Sequence, residues 1–301
     1  TTGRPGPVVI ALPEDMLAEA TATAPLAAAP RIAEPAPAAA AMAEAQALLA
    51  NAARPLLMVG GCNWTDAGRR ALQDFAEASD IPVVAAFRYQ DSFDNFSRCY
   101  AGEAGVGMPA HVRALMTEAD VILAVNLRFG EMTTDGYTLL DVPVPAQRLI
   151  HVHGSDRELG KVYQPTLGIH AGPNEFAAAL APVRGNWAEW RARARQGFED
   201  SLSAPPQPSP VDMAQVIAHL REVLPEDAIL TNGAGNFTVW PNKFYKFGPQ
   251  ARLLAPQSGA MGYGLPAAIA ARVAFPGRTV VCFAGDGDFQ MNCQELGTAM
   301  Q

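Results

Sequence analysis

Short apolar runs alternate with segments of helical periodicity along most of this 301-residue chain. Leu56–Val59 and Ile81–Ala86 are typical of buried strands, and Ala67–Ala78 between them has its apolar residues at helical spacing. Parallel strands need a crossover between them, usually a helix, so this alternation predicts parallel sheets with helices on both faces. The predicted fold class is α/β, with two doubly wound parallel-sheet domains, the first of them Rossmann-like.

Proline-rich segments divide the chain. Residues 18–35 are dense in alanine and proline, and Ser203–Pro210 contains four prolines, which is typical of exposed linkers. Ser209 is a candidate N-cap for a helix over Val211–Leu224, and Val8–Leu12 is predicted to be a strand. The expected divisions are 1–17, the end of a preceding domain; 18–35, a linker; 36–183, a central Rossmann-like domain; 184–210, a helix and a linker; and 211–301, the first part of another α/β domain.

Charge and hydropathy exclude several classes of function. The formal net charge of −8 disfavours a surface for nucleic acids or anionic membranes, and no apolar run approaches the roughly 20 residues of a membrane helix. The four cysteines lack metal-site spacing, so we expect reduced thiols and a cytoplasmic protein. Thr1–Pro7 is typical of a loop inside a longer protein, and we expect the chain to be a fragment.

The most informative turn lies near the end of the sequence. The apolar run Thr279–Ala284 stops at the Gly-Asp-Gly turn Gly285–Gly287, which suits a buried strand with a carboxylate and free backbone N–H groups at its carboxyl end. Glycines let an anion approach the backbone, and Mg²⁺ is usually held by one or two carboxylates together with phosphate oxygens. Asp286 is therefore a candidate metal ligand beneath a diphosphate. Two further glycine-bearing turns, Asn232–Asn236 and Ser258–Gly264, could converge on the same ligand; ordinary tight turns are the alternative.

Taken together, these segments resemble the thiamine diphosphate enzyme superfamily, most closely its acetohydroxyacid (acetolactate) synthase-like branch. Gly3–Ile10 is similar to the end of that family's pyrimidine-binding domain, and Arg54–Gly61 to the opening strand of its central domain. Ser258–Ala268 and Val281–Thr298 are similar to its thiamine diphosphate-binding domain, of which the chain would contain the first part. The resemblance covers nearly the whole chain and implies thiamine diphosphate and Mg²⁺ as cofactors.

The resemblance also implies a role for each matching residue. Asp286 would bind Mg²⁺, the backbone of the following turn would contact the diphosphate, and the carbonyl of Gly259 would accept a hydrogen bond from the aminopyrimidine. Met261 matches the apolar side chain that holds the cofactor bent; an ordinary core methionine is the alternative. The implied cofactor-binding set is Gly235, Asn236, Ser258, Gly259, Met261, Gly285, Gly287 and Asp288.

Two elements of the family pattern fall outside this sequence. The resemblance implies a further Asn ligand to the metal roughly thirty residues beyond Asp286, and a glutamate, on the pyrimidine-binding domain of a partner subunit, that protonates the aminopyrimidine ring. No catalytic residue is therefore expected within the chain, which should be inactive alone. Because the family binds its cofactor between subunits, a homodimer or homotetramer is implied.

The central domain departs from the flavin-binding relatives. Their Arg-Phe-Asp-Asp-Arg run becomes Arg128–Met132 here and keeps only its first half, while His153 and Ser155 stand where those relatives carry acidic residues. Both changes remove groups expected near a flavin ribityl or ribose, so binding of FAD is doubtful. His151 and His153 share a strand face because they are two residues apart, and we interpret them as a solvated strand end rather than a metal site.

The predicted function is a thiamine diphosphate- and Mg²⁺-dependent lyase or carboligase that acts on a 2-oxo acid, as acetolactate synthase does. The family's Gln-His pair is replaced by Asn236 and Phe237, which predicts a changed substrate preference. One alternative is a simple 2-oxo acid decarboxylase of the same superfamily. Others are a degenerate relative, or a non-catalytic nucleotide-binding module, although Gly60-Gly61 lacks the full G-x-G-x-x-G pattern.

Overall fold

Two parallel β-sheets with packed helices organise the chain in the computed structural model, which describes residues 6, 8–25, 28, 32–203 and 210–301. The strands are β1 (Pro55–Val59), β2 (Val83–Ala86), β3 (Tyr100–Ala104), β4 (Val121–Val125), β5 (Arg148–His153), β6 (Leu167–His170), β7 (Ile229–Asn232), β8 (Arg252–Leu254) and β9 (Val280–Phe283). The helices are α1 (Glu14–Ala18), α2 (Ala39–Ala50), α3 (Asp66–Ser79), α4 (Ala110–Glu118), α5 (Pro173–Ala179), α6 (Ala188–Ser201), α7 (Met213–Val223), α8 (Val239–Phe244), α9 (Gly264–Ala274), α10 (Asp286–Gln290) and α11 (Glu295–Met300).

The first sheet has six parallel strands in the order β3-β2-β1-β4-β5-β6. Successive residues of its strands enter two different cores: Leu57 packs with residues of α2, α3 and α5, whereas Leu56 packs with residues of α4 and α6. Because both faces are covered, β1, β2 and β4 are buried along their whole length, which explains their unbroken apolar sequences. The predicted doubly wound, Rossmann-like architecture is confirmed.

Helix α6 packs on this first domain. The indole N–H of Trp187 donates to the carbonyl of Ala52 at 2.9 Å, and that of Trp190 donates to Pro55 at 2.8 Å. Each ring is buried while its one polar atom finds a partner, as large amphipathic rings require. The helix thereby covers the end of the sheet at which β1 begins.

The second sheet has three parallel strands in the order β8-β7-β9. Its core contains Leu230 from β7 and Leu253 from β8, together with Ile217 of α7 and the aromatic pair Tyr245 and Phe247. The rings of that pair pack edge-on with centroids 4.9 Å apart. The sheet is therefore a second α/β layer, and the predicted pair of parallel-sheet domains is confirmed.

Several local predictions differ from the structure. Val8–Leu12 is exposed and forms no strand, because the described residues offer it no neighbouring strand to pair with. Helix α7 begins after Asp212, whose carboxylate accepts from the N–H of Ala214 at 2.9 Å, so the N-cap is Asp212; Ser209 lies outside the described residues. Five elements were not predicted: the edge strands β3 and β8, and the short helices α1, α8 and α10.

All four cysteines are free. Among the described residues, every helix is too short or too polar to cross a lipid bilayer.

Candidate functional site

Two of the predicted turns meet at one edge of the second sheet. Strands β7 and β9 are parallel neighbours with Asn232 opposite Phe283, so the segments that follow them leave the sheet at the same edge. The ring of Phe237 lies against both: a Cβ atom added to Gly235 would lie 2.9 Å from it, and one added to Gly285 3.0 Å. The strand order therefore brings together turns that are fifty residues apart in sequence.

Asp286 begins α10 at this edge, and its side chain is exposed. A carboxylate oxygen is a hard ligand of the kind that Mg²⁺ prefers. Within the described part of the chain, no three side chains of His, Cys, Asp or Glu gather as a metal site. The donor set thus fits a cation that takes one protein carboxylate and draws its other ligands from phosphate and water oxygens.

Asp288, two residues further on, is buried instead. One of its carboxylate oxygens accepts a hydrogen bond from the backbone N–H of Gly262, and the other has no partner among the described residues. A side chain at position 233 would collide with both oxygens, so Gly233 leaves the space that this carboxylate occupies. The sequence prediction assigned a backbone contact to Asp288 and missed the role of its side chain.

Gly262 is held from both sides by the segment 288–292. While its N–H donates to Asp288, its carbonyl accepts from the side-chain amide of Asn292 at 2.6 Å. Its φ is +81°, and a Cβ atom there would lie 2.7 Å from the Asn292 nitrogen, so only glycine fits without displacement. We call Gly262, Asp288 and Asn292 the turn clamp, because they attach the turn that contains Met261 to the Gly-Asp-Gly turn.

The turn clamp leaves Met261 over Gly287. Its terminal methyl carbon lies 3.3 Å from the position that a Cβ atom on Gly287 would take, and 44% of the residue is exposed. Met261 is therefore not buried in a core formed by the described residues, and its contact with a cofactor stays a prediction. The side chain is available to contact a ligand at this edge.

The turn Ser258–Met261 lies between two cavities. Gly259, together with Gly235 and Asn236, lines a cavity of about 250 Å³ between the two domains. Ser258 lines a larger cavity of about 900 Å³ on the other side. The structure thus brings Gly235, Asn236 and Gly259 to one space, whereas Ser258 lines the other cavity.

The larger cavity lies at the carboxyl ends of β1, β2, β4 and β5, where ligands bind in doubly wound folds. Asn126, Arg128, His153 and Ser155 line it. Its volume falls in the range of organic-ligand pockets, about 300–1,000 Å³. His153 and Ser155 are the residues that stand where flavin-binding relatives carry acidic side chains, and both line this cavity. That FAD binding is doubtful stays a prediction.

The histidines of β5 differ from the interpretation as a solvated strand end. His151 and His153 are 2% and 4% exposed. A ring nitrogen of His151 lies 3.0 Å from the carbonyl oxygen of Leu127, and the N–H of Ser155 donates to His153 at 2.9 Å. Burial lowers the pKa of His151 to about 4, so its imidazole is neutral at physiological pH. That interpretation is wrong because residues after β4 and β5 fold over this end of the sheet.

Two models of known protein families match separate segments of the chain. Residues 42–180 match the thiamine pyrophosphate enzyme central domain, and residues 233–301 match the C-terminal TPP binding domain of thiamine pyrophosphate enzymes. Both cavities and all three glycine-bearing turns involve residues within these matched segments.

Curated relatives of the chain include several proteins named acetolactate synthases. The chain is 32% identical to an acetolactate synthase large subunit of Parasynechococcus marenigrum, over 99% of this chain and 49% of the relative. It is 30% identical to the acetolactate synthase isozyme 1 large subunit of Escherichia coli, over 100% of this chain and 53% of that protein. A probable chloroplastic acetolactate synthase 2 of rice is 31% identical, over 98% and 47% respectively. The chain spans about half the length of these relatives.

Proposed function

This chain belongs to the thiamine pyrophosphate enzyme superfamily, in its acetolactate synthase-like branch, and from that premise we propose that the protein is a thiamine diphosphate- and Mg²⁺-dependent lyase or carboligase acting on a 2-oxo acid. The observation that carries the proposal is the meeting of the Gly235 and Gly285 turns at one sheet edge, where the carboxylate of Asp286 is exposed. Free backbone N–H groups and one carboxylate suit a diphosphate bridged by a divalent cation.

Each residue of the edge has a proposed task. Asp286 would bind Mg²⁺, and the backbone of Gly235, Asn236, Gly285, Gly287 and Asp288 would hold the diphosphate. Met261, which lies over Gly287, would pack against the cofactor. The carbonyl of Gly259 and the neighbouring Ser258 would bind its aminopyrimidine end. The Asp288 side chain acts indirectly: it accepts a hydrogen bond from Gly262 and so fixes the turn that carries Gly259 and Met261.

Thiamine diphosphate, when bound, supplies the electron sink that allows the bond between the carboxylate and keto carbons of a 2-oxo acid to break. The protein binds and orients the substrate at that sink. Phe237 replaces a titratable side chain with an apolar ring between the two turns, which favours an altered substrate preference. Carboligation is proposed first because the relatives are named acetolactate synthases; simple decarboxylation is the alternative within the class.

A non-catalytic nucleotide-binding role has one specific observation in its favour, the cavity of about 900 Å³ at the carboxyl edge of the first sheet. The two proposals differ in which residues must bind ligand. The thiamine diphosphate proposal requires ligand binding at Asp286 and at the turns of the second sheet. The nucleotide-binding alternative requires ligand binding in the first domain only.

Isothermal titration calorimetry of thiamine diphosphate with Mg²⁺ on the whole protein tests the proposal. Asp286→Ala should weaken binding at least tenfold, a difference of about 1.4 kcal/mol, and should abolish the gain in affinity that Mg²⁺ gives over EDTA. Asp74→Ala, which removes an exposed carboxylate from α3, is the matched control and should bind as wild type does. Equal affinity for wild type and Asp286→Ala would contradict the proposal, and binding of ADP or FAD without thiamine diphosphate would favour the nucleotide-binding alternative.

Two further measurements refine the activity. Incubation with pyruvate should give 2-acetolactate for a carboligase and acetaldehyde for a decarboxylase, and pyruvate turnover at rates typical of acetolactate formation would contradict the altered preference. A homodimer or homotetramer is proposed for the whole protein, and sedimentation velocity measures it.

A further inference from the structure

The cavity of about 250 Å³ between the domains contains a buried cation that forms no salt bridge with the described residues. Arg88 lines the cavity and is 5% exposed. Within the described residues, no carboxylate oxygen lies within 4.0 Å of its guanidinium, and its Nε has no hydrogen-bond partner. Buried charges are normally paired, because leaving water is costly for an isolated ion. The guanidinium is therefore suited to an anion that comes from outside the described residues.

The backbone holds Arg88 in an unusual conformation that keeps it at this position. Its φ is +62°, a left-handed value that branched or long side chains rarely adopt. The N–H of Arg88 donates to the Glu103 carboxylate at 2.7 Å, and its guanidinium donates to the carbonyl of Pro256 in the second domain. Gln257 donates to the carbonyl of Arg88 at 3.4 Å. Strained residues that several bonds hold in place cluster at ligand sites.

The remaining walls restrict the ligand. Gly235, Asn236 and Gly259 connect the cavity to the proposed cofactor site, and the amide oxygen of Asn242 is a second buried polar atom without a partner among the described residues. The volume of about 250 Å³ equals roughly eight waters at ~30 Å³ each, which suits a short organic acid and is too small for a nucleotide. An anion of this size beside the cofactor site has the dimensions of the substrate.

Partial protonation of Glu103 reduces the negative charge that would otherwise repel such a ligand. Burial raises the pKa of its carboxyl to about 7, despite the hydrogen bond from Arg88 and the attraction of the Arg88 charge. Lys243 adds a second positive charge at the cavity wall. Two positive charges, on Arg88 and Lys243, therefore line the cavity together with one carboxyl group, that of Glu103, which is partly protonated near pH 7.

We propose that Arg88 binds the carboxylate of a short-chain 2-oxo acid in this cavity and so selects the substrate, an inference that rests on the proposed function. Arg88 is a substrate-binding residue in this assignment, with Asn242 as a polar neighbour of the bound acid. A guanidinium pairs with a planar carboxylate through two parallel hydrogen bonds, which fixes the direction in which the keto carbon points.

The test uses oxamate, an unreactive analogue of pyruvate, titrated calorimetrically into the whole protein saturated with thiamine diphosphate and Mg²⁺. Arg88→Gln should raise the Kd for oxamate about 10- to 100-fold, since it removes a charge-assisted pair. It should raise KM for pyruvate similarly while leaving unchanged the Kd for methyl pyruvate, an ester that lacks the carboxylate charge and serves only as a ligand because it cannot be decarboxylated. Arg193→Gln, at a surface arginine paired with Glu118, is the matched control and should leave every value unchanged.

A second variant separates charge from loss of structure. Glu103→Gln keeps an acceptor for the N–H of Arg88 but removes the negative charge, so at pH 8 it should bind oxamate several-fold more tightly than wild type. Weaker binding of oxamate by both variants would overturn the proposal, as would equal binding by Arg88→Gln and wild type.

The same titrations distinguish the two possible anions. If Arg88→Gln weakens thiamine diphosphate while oxamate binding is unchanged, the guanidinium binds the diphosphate and the proposal fails, although the proposed function stands. If wild type does not bind thiamine diphosphate at all, the proposed function fails, and the oxamate titration of the cofactor-free protein still decides whether Arg88 binds a carboxylate.

Discussion

The turn clamp predicts an unequal effect of the same substitution at two glycines of one loop. Gly259 and Gly262 have φ values of +71° and +81°, so alanine costs about 1–2 kcal/mol at each through backbone strain. At Gly259 the added Cβ meets nothing within 4 Å, whereas at Gly262 it lies 2.7 Å from the Asn292 nitrogen and 3.0 Å from Cβ of Met291. The second substitution must therefore displace Asn292 and lose its hydrogen bond.

The expected difference follows from these contacts. A lost hydrogen bond costs about 0.5–1.5 kcal/mol and a steric displacement about 1–3 kcal/mol, so Gly262→Ala should be about 1.5–4.5 kcal/mol less stable than Gly259→Ala. Urea unfolding of the cofactor-free protein, followed by circular dichroism and extrapolated linearly to water, measures both values. The entropy that alanine removes from the unfolded chain is common to the two variants and cancels.

A double-mutant cycle tests the cause. Asn292→Ala removes the colliding nitrogen, so adding Gly262→Ala to Asn292→Ala should cost less than Gly262→Ala costs in wild type. Equal unfolding free energies for Gly259→Ala and Gly262→Ala, or strict additivity in the cycle, would refute the turn clamp as described.

Two further predictions concern stability elsewhere in the chain. Burial lowers the pKa of His151 to about 4 from its ordinary value of 6.5, so the unfolded chain binds more protons than the folded chain between these pH values, and the free energy of unfolding should fall as the pH drops from 6.5 toward 4. His151→Gln should flatten this pH dependence when unfolding is measured at several pH values. An unchanged slope would contradict a neutral, buried imidazole. Asp212→Ala should cost about 1 kcal/mol because it removes the N-cap of α7, and Asp212→Ser should restore most of it; equal losses in the two variants, compared by urea unfolding, would argue against a capping role.

The part of the fold that depends on buried, fully apolar strands could be predicted from the sequence. Strands β1, β2 and β4 are such runs, and the helices between them show clear periodicity. Strand β3 has the sequence Tyr-Ala-Gly-Glu-Ala, in which Gly102 and Glu103 interrupt any apolar pattern. It exists because β2 offers a parallel edge to pair with, and such pairing is not visible in a local window. Val8–Leu12 is the converse case, an apolar run without a partner strand among the described residues.

The site divides in the same way. Glycine-bearing turns at strand ends are readable from the sequence, and the strand order β8-β7-β9 brings two of them together. Gly262 donates a hydrogen bond to Asp288 and accepts one from Asn292, which join residues 26 and 30 positions apart and depend on how α10 packs beside the preceding turn. Asp288 could not be separated from Asp286 by spacing alone, although one is buried and the other exposed.

The position of the site turns depends on both domains, because one stretch after β2 contacts the second domain repeatedly. Asp91 accepts from the N–H of Leu253 on β8 at 3.2 Å, and Asn95 exchanges two hydrogen bonds with Phe247, each of 2.9 Å. Arg88 adds its bond to Pro256, two residues before Ser258. These contacts fix β8 and the start of the Ser258–Met261 turn, while the turn clamp fixes its end. A ligand at Gly259 and Met261 is therefore positioned by the first domain as much as by the second. The glycine-bearing turns can be predicted within one domain, whereas the role of Arg88 depends on a contact between the two domains.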